Sequence, residues 1–256
     1  MKITYSALSD RGPRRRDNQD NLYCAGLYRT DPACNELFLA QGQTQMPAVF
    51  AVADGMGGES NGAETALLSV QPLADLPLPA SAADLTRHIL RCNQAVCSRM
   101  DSAGGERMGS TFAGLSLHDR LAEAANVGDS RLYLFRAGQL TCLSQDHTAV
   151  RALVQAGILT PEEAKHHPDR HRLTQHIGIF PDEMLLQPFC TTLAVQKGDQ
   201  FLLCSDGLTD GLADNQIDEI LAADLSPEEK TRLLLRQAMA KTRDNVTAVL
   251  LFLDEI

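Results

Sequence analysis

Along this chain, apolar and polar residues alternate, or collect in short blocks between turn residues, more often than they recur at helical spacing. Strand-like runs cover residues 3–9, 49–53, 111–117, 121–127, 131–136, 139–143, 185–194, 200–204 and 246–253. A helical period predicts helices over about 63–73, 82–100, 149–156, 215–222 and 227–241. The last has a clear start: Ser226 can accept from the third helical N–H, Pro227 sits where no N–H is needed, and Glu229 completes a capping box. Thr160-Pro161-Glu162-Glu163 repeats the signal and should open a short helix. The proline-rich stretch 71–79 is short enough to be a loop, and no repeat or linker interrupts the pattern, so residues 1–256 read as one domain.

Strands follow one another directly over 111–143, which favours antiparallel sheets over alternating β-α units. The expected class is α+β, with two antiparallel sheets packed face to face and helix layers outside. With 44% hydrophobic and 22% charged residues the chain reads as an ordinary soluble protein. Its 23 basic and 33 acidic residues leave a net charge of -10, which opposes general binding to nucleic acid or anionic membrane. No apolar run approaches the roughly 20 residues of a membrane span. The start, MKITYSALSD, lacks the layout of a signal peptide. A cytoplasmic monomer is expected. Seven scattered cysteines, 24, 34, 92, 97, 142, 190 and 204, form no C-x-x-C pair and read as reduced and structural.

The chemistry lies in five aspartates beside Gly, Asn, Gln or Ser at the ends of apolar runs: Asp20, Asp54, Asp129, Asp206 and Asp244. Each alone reads as a turn residue, and Gly128-Asp129 between two strands looks like a hairpin turn. Together they are different. Core strands delivering carboxylates from separate places gather negative charge that is tolerable only if it is paired or binds cations. Carboxylate oxygens suit Mg²⁺ or Mn²⁺, and no Cys or His accompanies them at zinc-ligand spacing.

Arg15-Arg16-Asp17-Asn18-Gln19-Asp20, Ala53-Asp54-Gly55-Met56-Gly57-Gly58, Gly109-Ser110-Thr111, Gly128-Asp129-Ser130-Arg131, Asp146-His147-Thr148, Ser205-Asp206-Gly207 and Asp244-Asn245-Val246 stand in this order. The set resembles the metal-dependent serine/threonine protein phosphatases (PPM, type 2C), their bacterial single-domain branch above all, over about residues 5–253. The resemblance implies a β-sandwich flanked by helices and a binuclear Mn²⁺ or Mg²⁺ centre. Asp54 would bridge both ions, Asp20 and the Gly55 carbonyl would complete opposite sides, and Asp206 and Asp244 would hold the second. Asp129, with Asp206, matches the position of a third, weaker metal. Arg15 matches the phosphate-binding arginine, whose planar fork can take two phosphate oxygens; Arg14 and Arg16 read as solvated.

The implied reaction is hydrolysis of phosphoserine and phosphothreonine by a water activated between two cations, opposing a serine/threonine kinase or its targets. Three departures bear on it. Met56 stands where animal members have a histidine, leaving the proton donor to a water held at the metals. Gln19 replaces a usual glutamate, and Gln175 follows Leu173-Thr174 where arginine is usual. Residues 149–176 correspond to the family's mobile flap. They hold His166, His167, His171 and His176, read as solvated rather than as a zinc site. Two alternatives remain: a catalytically weak phosphoprotein-binding module of this fold, and a hydrolase of small phosphate esters or nucleotides.

Overall fold

A strand buried at every position has no face left for solvent, and DNLYC and QFLLC are two of that kind. Such strands need cover above and below. A computed structural model describes residues 1–57 and 61–255 and shows how that cover is supplied. Gly58, at the end of the Ala-Asp-Gly-Met-Gly-Gly run, lies outside the described residues.

The strands are β1 Lys2–Asp10, β2 Asp20–Cys24, β3 Leu27–Tyr28, β4 Phe38–Gln45, β5 Ala48–Gly57, β6 Met108–Ser110, β7 Phe112–His118, β8 Leu121–Val127, β9 Arg131–Arg136, β10 Gln139–Cys142, β11 Phe189–Ala194, β12 Gln200–Cys204 and β13 Val246–Glu255. The α-helices are α1 Asn61–Val70, α2 Ala82–Ser102, α3 Ala149–Gln155, α4 Pro161–His166, α5 Asp206–Gly211, α6 Asp214–Ala222 and α7 Pro227–Met239. Among the described residues the strands pair antiparallel in two sheets, one ordered β10-β9-β12-β13-β1-β4 and the other β11-β8-β7-β5-β2-β3, with β6 pairing with the end of β5 over Gly55–Gly57. This is the expected α+β sandwich.

Three apolar layers follow from that order. Phe50, Leu115, Phe201 and Val249 fill the space between the sheets. Ala66 and Val70 of α1 and Leu85, Ile89 and Met100 of α2 close over Phe112 on the outside of one sheet. Leu202, Leu208, Ile217 and Leu234 seal α5, α6 and α7 onto the other. Both capping boxes read at Thr160 and Ser226 are formed, and a third, Ser81 with Asp84, starts α2. No helix among the described residues is long and apolar enough to cross a membrane.

The structure departs from the sequence pattern in several places. Strands β2, β3, β4 and β6 and helix α5 were not expected. The strand read at 185–194 is confined to Phe189–Ala194, and the helix read at 63–73 ends at Val70 and passes into a 3-10 helix over Gln71–Asp75, so only the rest of 71–79 is loop. Gly128-Asp129 is no hairpin turn. β8 and β9 lie in different sheets, and the glycine, at φ +93°, turns the chain from one to the other. Asp54-Gly55 does not end its strand either, because β5 runs on to Gly57.

Helix α5 is held by close backbone contact with α7: a Cβ on Gly211 would lie 2.5 Å from the Ala238 carbonyl oxygen. Gly211→Ala should therefore destabilise the protein by about 1–3 kcal/mol, read as a lowered midpoint of thermal or urea unfolding.

Candidate metal centre

Asp20 and Asp54 are Cα partners across β2 and β5. Asp20 is 1% exposed, and its Oδ2 accepts from the Ser205 hydroxyl at 2.7 Å, while Oδ1 is buried with no hydrogen-bond partner. Ser205 occupies the N-cap of α5 but makes no side-chain cap there; its hydroxyl serves Asp20 instead. Asp206, the next residue, likewise has a buried Oδ1 without a partner.

The main chain around Asp54 is clamped. Its N–H donates to the Thr111 hydroxyl at 2.9 Å, and its carbonyl accepts from Thr111 N–H at 2.9 Å and the Ser110 hydroxyl at 3.0 Å. Thr111 in turn meets the Ser130 hydroxyl at 2.6 Å, which joins the clamp to the turn that carries Asp129. Gly55 has no room for a side chain: a Cβ would stand 1.9 Å from the Gly62 carbonyl oxygen. Its N–H donates to the Gln19 carbonyl at 3.1 Å, and the Gln19 amide reaches the Gly57 carbonyl at 3.4 Å, a donor that glutamate would lack.

Asp244 precedes β13. Its Oδ1 accepts from Asn245 N–H at 2.8 Å and its Oδ2 from Arg15 at 2.7 Å. Asn245 ties this strand start to the loop after β1, donating to the carbonyls of Arg11 at 2.7 Å and Asp17 at 2.9 Å and accepting from Gln19 N–H at 2.9 Å.

These aspartates feel one another. Burial raises Asp54 well above the ordinary carboxylate range, and Asp20, Asp206, Asp244 and Asp129 push it further. Asp20 is pushed up to about 7, first by burial and then by Asp206 and Asp244, against the hydroxyls of Ser205 and Thr247. Burial, with Asp206 and Asp146, also raises Asp129, which is 9% exposed. All five sequence-predicted aspartates thus share one neighbourhood, and Arg15 stands at its edge.

Sequence reasoning missed several supporting groups. Buried Arg29 lies behind β2 and donates to the carbonyls of Asn18, Asp20 and Cys34; nothing in its sequence context marks it. Ser205 and Asn245 lie within the Ser-Asp-Gly and Asp-Asn-Val motifs, yet only the fold shows what they hold. The expectation that the flap histidines are all solvated is corrected. His171 Nδ1 is 3.5 Å from Asp206 Oδ2 and its Nε2 is 3.3 Å from Asp210 Oδ2. His176 Nδ1 lies 2.8 Å from the Ile177 carbonyl oxygen, whereas His166 is 82% exposed. One ligand atom each from Asp129, His171 and Asp206 lie within 4.8 Å of one another, a second place able to hold a cation.

Partnerless buried carboxylate oxygens, crowded acids and all-oxygen donors at Asp20, Asp54 and Asp244 fit hard divalent cations such as Mn²⁺ or Mg²⁺. Fold and site therefore define a class: a two-sheet sandwich with a carboxylate-lined divalent-cation centre at one end. Comparison with known proteins narrows it. Residues 28–242 match the family model of protein phosphatase 2C, a span that starts after Asp20 and stops before Asp244. The chain is 33% identical over 258 residues to protein phosphatase PhpP of Streptococcus pneumoniae, covering 98% of this chain and 97% of PhpP. It is 32% identical over 254 residues to serine/threonine protein phosphatase PstP of Mycobacterium tuberculosis, of whose length it spans 45%. A crystal structure of the Mycobacterium tuberculosis phosphatase PstP/Ppp superposes with TM-score 0.84 at 30% identity, covering 100% of both chains. The PstP catalytic domain in complex with two manganese ions gives 0.82 at 29%, again over 100% of both. The chain belongs to the protein phosphatase 2C family.

The folded metal-free protein holds the Asp20, Asp54 and Asp129 protons more tightly than the unfolded chain, whose aspartates titrate at about 3.9. Its stability should therefore fall as pH rises from about 4 through about 7, the Asp20 value. Calorimetry with chelator should show that slope, Mn²⁺ should flatten it, and Asp20→Asn should reduce it while weakening Mn²⁺ binding. A metal-free protein that gains stability over this range contradicts the account.

Proposed function

We propose that this protein is a metal-dependent phosphoprotein phosphatase that hydrolyses phosphoserine and phosphothreonine, acts as a cytoplasmic monomer, and opposes a serine/threonine kinase or the targets of one. The observation that carries this reading is the pairing of Asp20 with Asp54, each beside Asp206 and Asp244, with carboxylate oxygens of Asp20 and Asp206 buried and unpartnered. Such an arrangement is unfavourable unless cations balance it.

Asp20, Asp54, Asp206 and Asp244, with the Gly55 carbonyl, would hold two divalent cations, Mn²⁺ or Mg²⁺. Asp54, on which the charges of Asp20, Asp206, Asp244 and Asp129 all act, would help to hold both. Bound there, such cations lower the pKa of a water and neutralise charge gathering on phosphate oxygens. Ser205 orients Asp20, the Thr111–Ser130 hydroxyl pair fixes Asp54, and Asn245 holds the loop that brings in Arg15. Arg15 offers a planar, always charged fork where the phosphate arrives, at the outer oxygen of Asp244. The bond that breaks joins phosphorus to the serine or threonine oxygen, which then needs a proton; Met56 has none to give.

Residues 149–176 act as the flap. Thr148 caps α3, Thr160 caps α4, and the segment is closed by a bridge between Thr148 and Leu173, so that His171 reaches back to α5. Asp129 and Asp206, joined by His171, would take a third and weaker cation.

A phosphothreonine peptide should be hydrolysed with Mn²⁺ and not with chelator. Asp206→Ala should lower the rate by more than ~100-fold, because loss of supporting groups alone costs about 10–100-fold around metal sites. Hydrolysis without metal, or none despite bound Mn²⁺, rules the reading out. Titration with Mn²⁺ followed by electron paramagnetic resonance should show that His171→Ala loses the weakest binding step and keeps the two tighter ones; an unchanged weakest step removes His171 from the third site.

A further inference from the structure

The charges around the mouth of the centre are not evenly divided. In a chain of net charge -10, Arg11, Arg14, Arg15 and Arg16 all stand exposed on the loop that follows β1, and exposed Arg243 directly precedes Asp244. The loop is not free to carry them elsewhere. Asn245 holds the Arg11 and Asp17 carbonyls, the Arg11 guanidinium reaches the Arg16 carbonyl at 3.4 Å, and Gly12 sits so tightly on the Asp244 main chain that a Cβ would be 1.9 Å from its carbonyl oxygen. The arginine rim and the aspartate that closes the centre are thus one packed unit.

The acids on this rim are already engaged. Asp10 accepts from Gly12 N–H at 2.7 Å, Asp17 from the Asn35 amide at 2.9 Å, and Asp244 from Arg15 at 2.7 Å. Next to it, where Gly207 packs on the Asn245 carbonyl, the charge is mixed: Asp206 and Asp210 of α5 face His171, and exposed Arg170 lies near Asp210. An extended peptide lying over the centre would therefore meet guanidinium groups on one side of its phosphorylated residue. Guanidinium forks match carboxylates and phosphates.

We infer that the rim formed by Arg11, Arg14 and Arg243 selects substrates in which the phosphorylated residue is flanked by anionic groups, either acidic side chains or a second phosphate. This rests on the phosphatase reading above and adds the substrate class to it. Exposed pairs contribute a few-fold each and are screened by salt, so the rim acts on substrate capture rather than on bond cleavage.

The test uses four peptides with one phosphothreonine, flanked by Asp and Glu, by a second phosphoserine, by neutral residues, or by Lys. With Mn²⁺ at about 0.01 M salt, kcat/KM for both anionic peptides should exceed that for the Lys peptide by about 10-fold or more, and the gap should shrink at about 0.15 M. The carboxylate and phosphate arms show which anion the rim favours. Arg14→Glu with Arg243→Glu should raise KM for the anionic peptides about 10-fold, leave kcat unchanged, and leave turnover of the neutral peptide and of para-nitrophenyl phosphate unaltered. Equal kcat/KM for all four peptides, or equal losses on all of them in the double variant, overturns the inference. Hydrolysis of the neutral peptide reports on the phosphatase reading alone. Should that fail, anisotropy titrations of fluorescent versions of the four peptides against wild-type and double-variant protein still test the rim: anionic peptides binding no tighter than the others would overturn it.

Discussion

Asp20 and Asp54 stand opposite each other on neighbouring antiparallel strands, a placement in which like charges repel. Burial of Asp20, 1% exposed, strengthens that repulsion, since a carboxylate withdrawn from water is poorly screened from its neighbour. The strands cannot escape it by sliding. Leu22 opposes Val52 in the register that fills the space between the sheets, and a shift of one residue would turn those side chains to the wrong face. The apolar core therefore enforces an electrostatic arrangement that is unfavourable without counter-charge. Burial of Leu22, Phe50, Val52 and Leu115 supplies the stability against which that cost is set. Seen this way, the affinity for cations is a consequence of the core rather than an ornament at its end.

The two sheets share the work. One brings Asp20 and Asp54; the other brings Asp206, after β12, and Asp244, before β13. Hydroxyl and amide side chains stitch the seam between them: Ser205 to Asp20, Thr111 to Ser130, and Asn18 to Ser9, which meets Thr247 at 2.7 Å. Each is a short, stiff group, and buried polar groups that are satisfied in this way fix one arrangement of the elements that carry them. The strand pairing of β1 with β13 brings the loop after β1 beside the start of β13, which is how Arg15 comes to meet Asp244 across 229 residues of sequence.

Much of this was legible in the chain. The acidic positions were, because each sits beside Gly, Asn, Gln or Ser at the end of an apolar run and their order carries a family resemblance. Strands that alternate or are uniformly apolar were also legible. Strand β2 was not: DNLYC opens with two polar residues that are buried for reasons of chemistry, Asp20 for the centre and Asn21 for a hydrogen bond to the Arg29 carbonyl at 2.9 Å. Strand β4, FLAQGQTQ, is an edge strand whose less exposed positions beyond Phe38 are only Ala40, Gly42 and Thr44, too little apolar contrast with the glutamines between them to announce a strand. Helix α5, DGLTDG, is short and glycine-bearing, so neither propensity nor periodicity announces it. Reading Gly128-Asp129 as a hairpin used correct turn chemistry and missed that the flanking strands belong to different sheets, which no local pattern encodes. His171 was misread for the same reason: its partners lie 35 and 39 positions away, on α5.

One of the two shortest α-helices among the described residues carries an aspartate of the centre, and that sets how this aspartate is held. Ser205 stands where a helix N-cap belongs, yet its hydroxyl is given to Asp20, forgoing a cap worth about 1 kcal/mol. With only Asp206–Gly211 in its span, α5 has little intrinsic stability of its own. What fixes it is tertiary: Leu208 is fully buried in the layer beneath α7, and Gly211 lies against the Ala238 main chain. The position of Asp206 is therefore set by α7, whose own start is secured by the Ser226–Glu229 box. His171 then reads that position from the other side, through Asp206 and Asp210 together. The placements of His171 and of Asp206 accordingly depend on the same α5–α7 contact.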